Sequence, residues 1–545
     1  MIETHAPSAY AYPLLIRHLW HAPMTCNPRQ EIVSGATLRY DYATLYARVE
    51  RLAGGLASLG IGKGDTVAVM NWDDHRYLEC FFAIPMMGAV LHTVNVRLAP
   101  EQVLYTINHA GDDAILVHAD FVPLIEQIAD RIERPVKLVY LGDQPGAAPP
   151  AGYAGEYEAL LAGAGDGFEF EDFDENTPAT TFYTTGTTGD PKGVIYSHRQ
   201  LVLHTLGLVA GLGSADNENR FHRGDVYMPI TPMFHVHAWG MPYAATLMGI
   251  KQVYPGRYEP ALLLQMIERE AVTFSHCVPT ILHMLLAAPE AEKTDLSRWK
   301  VVIGGAAMPG ALALAAAERG IGAFTGYGLS ETCPVLTTAD MSGSVEVTTD
   351  ESSIARRCVT GMPMPMVDLR VVDMQMNDLP RGSGHCGEVV VRAPWLTQGY
   401  TADEAGSESL WEGGYLHTGD VGYLDEDGSL HITDRMKDVI KSGGEWISSL
   451  QLEDIVSRCD GVAEAAAIGI PDARWSERPL ILVVRSDPGL EAGPVLAAIQ
   501  AEVECGRLSE WAMPGRVEFV DALPRTSVGK LDKKAMRALF GGQAE

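Results

Sequence analysis

Helices and apolar strands alternate along the first third of the chain, and this alternation limits the possible folds more than any other feature of the sequence. Within residues 41–70, apolar side chains recur at steps of three and four before a mostly apolar run, DTVAVM; the recurring residues are Leu45, Val49, Leu52, Leu56 and Leu59. Such spacing predicts one face of a helix, which Gly60 can end in a left-handed conformation, and the apolar run predicts a buried strand. The pairs EQVLYTINHAG with DAILVH and ALLLQMIEREA with VTFSHCV repeat the pattern. We therefore predict an α/β fold in which helices cover mainly parallel β-sheets.

The chain changes character near Asp434 to Lys437, after which a smaller α+β unit is predicted. A dense cluster of charged residues and glycines, DRMKDVIKSGGEWIS, precedes a helix for which Ser448 and Gln451 can form a capping box. AAAIGI and LILVVR predict two short strands, and the basic tail LPRTSVGKLDKKAMRALF follows them. Lys533 and Lys534 in this tail are interpreted as surface lysines.

The composition favours a soluble protein that does not bind nucleic acid. Lysine and arginine total 41 against 70 aspartates and glutamates, a formal net charge of −29, whereas a general nucleic-acid binder normally carries a basic face. The eight cysteines are scattered without a C-x-x-C pair or zinc spacing, as is typical of reduced thiols in the cytosol. The start of the sequence has no secretory signal pattern, and no apolar run approaches the length of a membrane span. We expect a cytoplasmic protein without a transmembrane segment.

A loop of small polar residues occupies much of the stretch 181–194, TFYTTGTTGDPKGV, between a loop-like acidic segment and an apolar strand. Glycines let backbone N–H groups turn toward an anion, hydroxyls donate further hydrogen bonds, and Lys192 adds a positive charge. A flexible linker is also rich in such residues, but it rarely ends in Pro-Lys-Gly. The spacing from Gly189 to Lys192 does not fit the Walker pattern G-x-x-x-x-G-K-[ST]. The loop is therefore a candidate phosphate-binding loop of another kind.

Seven segments in a fixed order carry a family resemblance. They are YTTGTTGDPKGV (183–194), MFHVHAWG (233–240), GGAAMP (304–309), YGLSET (327–332), YLHTGD (415–420), DRMKDVIKSGGEWIS (434–448) and PRTSVGKLDK (524–533). Together they resemble the adenylate-forming superfamily, which contains fatty acyl-CoA synthetases, peptide-synthetase adenylation domains and luciferases. The resemblance implies an adenylation domain at 1–433 for ATP and the acyl group, a hinge at 434–437, and a mobile C-terminal domain at 438–545.

The resemblance also implies a two-step reaction. A carboxylate attacks the α-phosphate of ATP, which forms an acyl-adenylate and releases pyrophosphate. A thiol, usually that of coenzyme A, then attacks the activated carbonyl and AMP leaves. ATP and CoA are thus the expected co-substrates, with Mg²⁺ as the expected cofactor. Homodimers are common in the family.

The matching motifs supply most of the implied nucleotide site. The residues expected to bind ATP or AMP are Thr184, Thr185, Gly186, Thr187, Thr188, Gly189, Lys192, Gly304, Gly305, Ala306, Gly326, Tyr327, Gly328, Ser330, Asp420 and Arg435. Within this set, Tyr327 would lie against the adenine and Asp420 would accept both ribose hydroxyls. Glu331 would associate with Mg²⁺, with Thr184 as a second residue of the metal site. Asp434 stands where many relatives have glycine, which puts the local backbone turn in question.

Catalysis and thiol delivery are implied for the C-terminal part. Lys530 is the predicted catalytic lysine, because an ammonium between the carboxylate and the α-phosphate would stabilise developing negative charge. Glu331 and His235 complete the predicted catalytic set. Lys437 matches the hinge about which the small domain rotates between the two steps. The CoA channel would be lined by Lys441, Ser442, Gly443, Gly444, Glu445 and Trp446, of which Trp446 either stacks on the CoA adenine or packs in the protein.

The acyl pocket is predicted around MFHVHAWG. His235 resembles an aromatic position that guards the thiol channel, Trp239 resembles the tryptophan that closes the acyl tunnel in fatty acyl-CoA synthetases, and Gly305 is the third pocket residue. As a lone tryptophan in an apolar segment, Trp239 could equally belong to the core. His237 replaces an asparagine found in many relatives. No lysine or arginine occurs between residues 225 and 249, and burying an unpaired charge is costly, so we predict an apolar monocarboxylate, with a medium- or long-chain fatty acid as the first choice.

Other substrates and classes of protein stay open. An aromatic acid or a short sulfur-containing acid would undergo the same reaction. A luciferase-like monooxygenase would add oxygen chemistry, and an acyl-AMP ligase would load a carrier-protein thiol instead of CoA. A nucleotide-binding scaffold without catalysis is disfavoured because Lys530 and Glu331 are both present.

Overall fold

A computed structural model describes residue 6 and residues 8–144, 147–184, 190–217, 219–343, 346–383, 385–442, 445–472, 474–505, 508–525 and 531–541. Within these residues, four β-sheets are covered by helices. None of the helices in the described ranges combines the length and the hydropathy that a bilayer crossing requires.

The strands are numbered in chain order. They are β1 Glu31–Ser34, β2 Leu38–Asp41, β3 Thr66–Met70, β4 Val90–Thr93, β5 Ala114–His118, β6 Lys137–Leu141, β7 Gly155–Glu156, β8 Pro178–Thr184, β9 Lys192–Ser197, β10 Val226–Pro229, β11 Lys251–Tyr254, β12 Phe274–Cys277, β13 Lys300–Ile303, β14 Gly322–Gly328, β15 Val335–Thr338, β16 Met362–Pro363, β17 Asp368–Val372, β18 Gly387–Arg392, β19 Leu416–Leu424, β20 Leu430–Arg435, β21 Ile440–Ser442, β22 Glu445–Ile447, β23 Val462–Asp472, β24 Ser476–Arg485 and β25 Arg516–Phe519.

The helical segments are numbered in the same way. They are α1 His21–Cys26, α2 Tyr42–Ser58, α3 His75–Met86, α4 Pro100–Ala110, α5 Val122–Ile128, α6 Tyr157–Gly163, α7 His198–Ser214, α8 Val236–Trp239, α9 Met241–Met248, α10 Pro260–Glu270, α11 Pro279–Ala287, α12 Gly310–Glu318, α13 Glu351–Cys358, α14 Glu404–Leu410, α15 Ser449–Ser457, α16 Ala492–Glu504 and α17 Lys533–Phe540. Short 3-10 turns lie at Ile16–Trp20, Ala119–Phe121, Ala129–Arg131, Pro289–Lys293, Ser330–Thr332, Glu412–Gly414 and Glu510–Ala512.

The two large sheets are mainly parallel, as the alternation of helices and strands predicts. The first has the strand order β7-β6-β5-β3-β4-β8-β9, and the second has the order β16-β15-β14-β13-β12-β10-β11-β1-β2. Their antiparallel pairs lie toward the ends, with β8–β9 in the first sheet and β1–β2, β14–β15 and β15–β16 in the second. In such sheets the loops after the strands gather at one edge, where ligands bind. The predicted α/β fold class is confirmed.

Helix α3 is the central packing element of the N-terminal part. All but the first of its residues are buried, which suits a helix that is apolar around most of its circumference. The ring of Phe81 stacks on Tyr243 of α9 at 5.6 Å between centroids, and the Tyr243 hydroxyl donates to the Phe81 carbonyl oxygen. This contact ties α9, which follows the predicted acyl segment, to the core below it.

Two further sheets follow in the sequence. A fully antiparallel sheet, β17-β18-β19-β20, carries the YLHTGD segment and ends at the predicted hinge; the sequence pattern did not single it out. The C-terminal sheet contains a long hairpin, β23–β24. The two predicted strands are present there, but they are longer than predicted, because the hairpin continues past both apolar runs into polar residues.

Candidate active site

A carboxylate, a phenol and a guanidinium meet at the predicted ribose position. Asp420 and Arg435 are paired residues on the neighbouring strands β19 and β20, and the Arg435 Nε lies 3.1 Å from the Asp420 Oδ1. The hydroxyl of Tyr327, near the end of β14, donates to the Asp420 Oδ2 at 2.7 Å. Asp420 is only 3% exposed, and its negative charge raises the pKa of Arg435. A carboxylate has about four lone-pair sites, so one such group can accept from several donors at once.

A second cluster forms around Tyr400, a residue that the sequence reasoning missed. Lys192, the first residue of β9, is paired with Thr184, so the candidate phosphate loop connects two antiparallel strands. The Lys192 Nζ lies 4.4 Å from the centroid of the Tyr400 ring and 3.0 Å from the Asp403 Oδ2. The Tyr400 hydroxyl donates to the Glu331 Oε1 at 2.8 Å. One tyrosine therefore contacts both the loop lysine and the predicted metal-site carboxylate.

The segment from Tyr327 to Glu331 joins the two clusters. Tyr327 points to Asp420 and Glu331 points to Tyr400, while only three residues separate them along the chain. The Tyr196 hydroxyl, on β9, donates to the carbonyl oxygen of Ser330 at 2.7 Å and holds this segment against the strand that leaves the loop. These contacts and the segment from Tyr327 to Glu331 thus connect Asp420 to Lys192.

The glycines at the ends of β13 and β14 permit close packing. A Cβ on Gly304 would lie 2.8 Å from both the Trp239 ring and the carbonyl oxygen of Gly326, so only glycine fits there without a shift. A Cβ on Gly326 would lie 2.7 Å from Val302. Gly305 has a φ of +78° and is exposed, as is Ala306. These positions bring Trp239, a predicted acyl-pocket residue, directly against the predicted nucleotide residues.

The acyl segment contains a strained left-handed turn. Val236, His237, Ala238 and Trp239 have φ values of 47°, 55°, 47° and 57°, and Gly240 follows with 73°. A left-handed conformation costs roughly 1–2 kcal/mol per non-glycine residue, so four in succession require support from the surrounding structure. His235, just before the turn, is half-buried, whereas Trp239 is 6% exposed and its ring centroid lies 4.9 Å from that of His276. The structure thus places the two predicted gate residues at opposite ends of one strained element.

Three buried histidines lie in or beside the turn, and all are neutral near pH 7. Burial lowers the pKa of His204, His237 and His276 to about 3 in each case. His237, the departure from the family pattern, lies among aromatic rings that include Phe182 and Tyr243. Neither of its ring nitrogens has a hydrogen-bond partner among the described residues. The region around the turn therefore offers no cation from these side chains.

The predicted hinge is linked to the C-terminal helices by Asp434. Its buried Oδ2 accepts the backbone N–H of Ser449 at 2.5 Å, which satisfies a donor at the start of α15. Burial raises the pKa of Asp434 and the nearby Lys533 ammonium opposes that rise. Asp434 therefore has a helix-capping role that glycine could not fill. Lys437, the predicted hinge residue, is exposed, and the pKa of its ammonium is lowered by partial desolvation and by the nearby charge of Arg435.

The interpretation of Lys533 as a surface residue was wrong. It is 7% exposed, and its Nζ lies 2.7 Å from the Glu453 Oε1 and 2.5 Å from the Ser449 Oγ. A buried ammonium needs such partners, and Glu453 lies 80 residues away in sequence, where a local pattern could not reveal it. Lys534 is exposed, as expected. The predicted capping box is half formed, since Ser448 accepts the Gln451 N–H without the reciprocal bond.

The predicted CoA residues lie partly on the hairpin β21–β22. Lys441 is paired with Trp446, and Ser442 is paired with Glu445 and with Ser476 of β24. Ser442 is buried and Lys441 is exposed. Gly443 and Gly444 fall outside the described residues, as do Thr185 to Gly189 of the phosphate loop and the predicted catalytic Lys530.

Comparison with known protein families gives two successive matches along the chain. A family model described as AMP-binding enzyme matches residues 20–401, and one described as AMP-binding enzyme C-terminal domain matches residues 451–530. The chain belongs to the AMP-binding enzyme family. The predicted hinge lies between the two matched segments, and its position stays a prediction.

Relatives within this family align with nearly the whole chain. A long-chain-fatty-acid–CoA ligase of Thermus thermophilus is 40% identical over 94% of this chain and 93% of its own length. A 3-methylmercaptopropionyl-CoA ligase of Ruegeria pomeroyi is 37% identical over 97% of both chains. The structure of a Mycobacterium tuberculosis fatty acyl CoA synthetase superposes with a TM-score of 0.70 at 25% identity and covers 97% of this chain and 98% of its own. The predicted superfamily and the predicted enzyme class, an AMP-forming acyl-CoA ligase, are confirmed.

Proposed function

We propose that this AMP-forming acyl-CoA ligase acts on an apolar monocarboxylate, with a medium- or long-chain fatty acid as its preferred substrate. The observation that carries the proposal is an acyl segment without a charged side chain. Between residues 226 and 248 the sequence contains no Asp, Glu, Lys or Arg, and burial keeps His237 and His276 neutral. A second carboxylate or an ammonium on the substrate would find no partner among these side chains and would lose its hydration.

The apolar lining also favours a long or flexible tail. The buried side chains on and beside α9 include three that can adapt to irregular shapes or contact rings; these are Met228, Met233 and Met241. Methionine has three rotatable bonds and a polarizable sulfur. Trp239 packs against Gly304, so it stands between this lining and the nucleotide residues. We assign Trp239, His235 and Gly305 to the acyl pocket, with Trp239 as the side chain that closes it.

The nucleotide would lie along the edge from Asp420 to Lys192. Asp420 would accept the ribose hydroxyls beside Arg435, and Tyr327 would lie against the adenine with the exposed ends of β13 and β14 opposite. Lys192 and the loop from Thr184 to Gly189 would hold the β- and γ-phosphates. Because nucleotidyl transfer depends mainly on positioning and charge neutralisation, these contacts would supply much of the catalysis. Support comes from the contact of Tyr400 with both Lys192 and Glu331.

The residues near the phosphate loop fit a magnesium ion that arrives with ATP. No group of three or more His, Cys, Asp or Glu side chains in the described ranges could hold a metal ion without other ligands. Mg²⁺ in nucleotide sites is usually held by one or two carboxylates, phosphate oxygens and water. Glu331 would supply the carboxylate, held in place by the Tyr400 hydroxyl, and Thr184 a hydroxyl. The ion would neutralise charge on the phosphate oxygens.

Lys530 and the hairpin β21–β22 would serve the two half-reactions in turn. Lys530 would stabilise the charge that develops as the carboxylate oxygen bonds to the α-phosphorus and the bond to pyrophosphate breaks. Rotation about Lys437 would then withdraw it and bring Lys441 to Trp446 toward the acyl-adenylate, where the CoA thiol forms the thioester and AMP leaves. We further propose a cytoplasmic location, which suits eight cysteines that form no disulfide in the structure, and a homodimer as the assembly.

A short sulfur-containing acid is the second candidate substrate. The 37% identity with a 3-methylmercaptopropionyl-CoA ligase supports it, and the methionines around the turn suit a thioether. An aromatic acid is the third candidate, but no feature of the acyl segment favours it over the first two.

The test is a panel of carboxylic acids with ATP, Mg²⁺ and CoA, in which AMP and acyl-CoA are both measured. Octanoate, palmitate, 3-methylmercaptopropionate, cinnamate and succinate cover the candidates and include one dicarboxylate. We expect the fatty acids to give the highest kcat/KM and succinate to give none above background. Equal rates with succinate and octanoate would contradict the substrate proposal, and AMP formation without acyl-CoA would contradict CoA as the acceptor.

A further inference from the structure

Two buried side chains from the first large sheet and its loops form hydrogen bonds with the backbone just before the strained turn. The Asp73 Oδ1, in the loop after β3, accepts the backbone N–H of Met233 at 3.0 Å. The hydroxyl of Thr93, the last residue of β4, donates to the carbonyl oxygen of Phe234 at 3.0 Å. Met233 and Phe234 directly precede His235. The N–H of Met233 and the carbonyl oxygen of Phe234 are thus both hydrogen-bonded by side chains from the first sheet and the loop after β3.

Asp73 is itself held rigidly. Its backbone carbonyl oxygen accepts the N–H of Gly256 at 2.8 Å, and its Oδ2 accepts the hydroxyl of Tyr258. Both partners follow β11 in the second sheet. The Asp73 side chain is 3% exposed, and this burial raises its pKa to about 7. A carboxyl in this setting therefore connects the loops after β3, β10 and β11.

We infer that Asp73 and Thr93 are positioning residues that set the orientation of the acyl gate formed by His235 and Trp239. The inference rests on the proposed function for its kinetic consequences. Both residues are almost fully buried, and each acts through the backbone of Met233 or Phe234. No motif in the sequence marks either residue.

The geometry explains why the gate needs such anchors. A run of left-handed non-glycine residues tends to relax toward ordinary backbone conformations, and the turn can relax only if its ends move. On the far side, Gly240 and α9 are fixed against the core by the contact between Tyr243 and Phe81. On the near side, Asp73 and Thr93 supply the anchors. If they are lost, relaxation would move Trp239 away from the Gly304 backbone against which its ring lies.

Three variants separate the two anchors. Thr93→Val keeps the shape of the side chain and removes the donor to Phe234. Asp73→Ala removes the acceptor for Met233. Asp73→Asn keeps a carbonyl oxygen for Met233 and supplies an amide N–H₂ that the Tyr258 oxygen can accept, so it is the conservative variant.

Asp225→Asn is the matched control. Asp225 is also 3% exposed and lies at the opposite end of β10, where it accepts from Thr273 at 2.7 Å and pairs with Lys300 at 2.6 Å. Its loss weakens the same strand without touching the turn. It therefore reports what general destabilisation does to kinetics.

The kinetic test measures KM for octanoate and for ATP separately. We expect Asp73→Ala to raise KM for octanoate about tenfold and Thr93→Val about threefold, in line with the loss of two buried hydrogen bonds in the first variant and one in the second, while KM for ATP stays within about twofold. Asp73→Asn should restore KM for octanoate, and Asp225→Asn should leave both constants unchanged. A proportional rise of both constants in Asp73→Ala, or an unchanged octanoate KM in Thr93→Val, overturns the inference.

A second readout does not depend on the reaction. Acrylamide quenching of each variant, with and without Trp239→Phe, isolates the fluorescence of Trp239. We expect the quenching of Trp239 to rise in Asp73→Ala and Thr93→Val but not in Asp73→Asn or Asp225→Asn. Unchanged quenching in the first two variants overturns the inference even if the chain is an active ligase, whereas failure of the wild-type chain in the acid panel overturns only the proposed function.

Discussion

The nucleotide side and the acyl side of the candidate site are built in opposite ways. On the nucleotide side, Tyr327, Asp420 and Arg435 extend from regular strands and contact one another through polar groups. On the acyl side, Trp239 ends a strained left-handed turn in apolar surroundings with neutral histidines. Polar recognition of ATP, which every reaction of this kind shares, can rest on relaxed strand ends. Recognition of a variable acid can be altered by changing a turn and its anchors while the nucleotide side stays the same.

The largest loss of activity is expected when Lys530, near the C-terminus, is replaced. Lys530→Ala should lower carboxylate-dependent ATP–pyrophosphate exchange by about a hundredfold or more, because it removes a cation aimed at the developing charge. Thioester formation from supplied acyl-adenylate should be largely retained. Lys534→Ala, an exposed lysine of the same tail, is the control. Equal loss in both half-reactions would contradict the assignment of Lys530 to adenylation.

On the nucleotide side, Asp420→Ala should raise KM for ATP by tens of fold, on the order of two charge-assisted hydrogen bonds, and should leave discrimination among acids unchanged. Steady-state kinetics with two acids of different chain length measures both effects. Asp425→Asn is the control, since Asp425 lies in the turn of the same hairpin and bonds to His431 at 2.9 Å. A changed preference among acids in Asp420→Ala would mean that the two sides are not independent.

A smaller loss of activity is expected when Tyr400, which contacts both Lys192 and Glu331, is replaced. Tyr400→Phe removes the hydroxyl that orients Glu331 and keeps the ring under Lys192, so kcat should fall about three- to tenfold at saturating ATP and magnesium. The magnesium concentration that gives half-maximal rate should rise with it. Tyr415→Phe removes a hydroxyl that donates to Asp368 at 2.8 Å and should change neither quantity. If Tyr400→Phe behaves like Tyr415→Phe, Glu331 does not depend on this contact.

The smallest expected effect is a change in the free energy of unfolding, and it tests the strain in the left-handed turn. Ala238→Gly should change the free energy of unfolding by less than about 1 kcal/mol, because relief of the left-handed conformation offsets the loss of a methyl group and the added chain entropy. Ala244→Gly, in the regular helix α9, should destabilise by about 1 kcal/mol or more. Both alanines are fully buried, so chemical denaturation compares them directly. Equal destabilisation would show that the turn stores no strain.

Local pattern singled out the predicted nucleotide residues, and it missed partners that come from elsewhere in the chain. Lys192, Glu331, Tyr327 and Asp420 all lie in recognisable motifs and converge in the structure. Tyr400 follows a glycine in a short loop with no periodicity, and a bridge to Val194 brings it to the strand that follows the phosphate loop.

The same limit applies to buried polar and charged groups. Asp73 and Thr93 lie in ordinary loop and strand contexts, and their role depends on a carbonyl and an amide some 140 to 160 residues away. Lys533 was interpreted as a surface residue because its partners Glu453 and Ser449 are distant in sequence. The roles of the residues outside the described ranges, Lys530 above all, stay predictions.

The order of residue types along this chain determined the fold class, the family and the chemistry, because hydrophobic periodicity and glycine or lysine spacing act over a few neighbouring residues. Only the tertiary structure decided which side chains orient those groups. Hydrogen bonds such as those from Met233 to Asp73 and from Tyr400 to Glu331 join segments that are far apart in sequence, and the left-handed turn persists because packing on both sides holds its ends. Short-range preference cannot encode such contacts, since they are enforced by residues brought close only in the folded state.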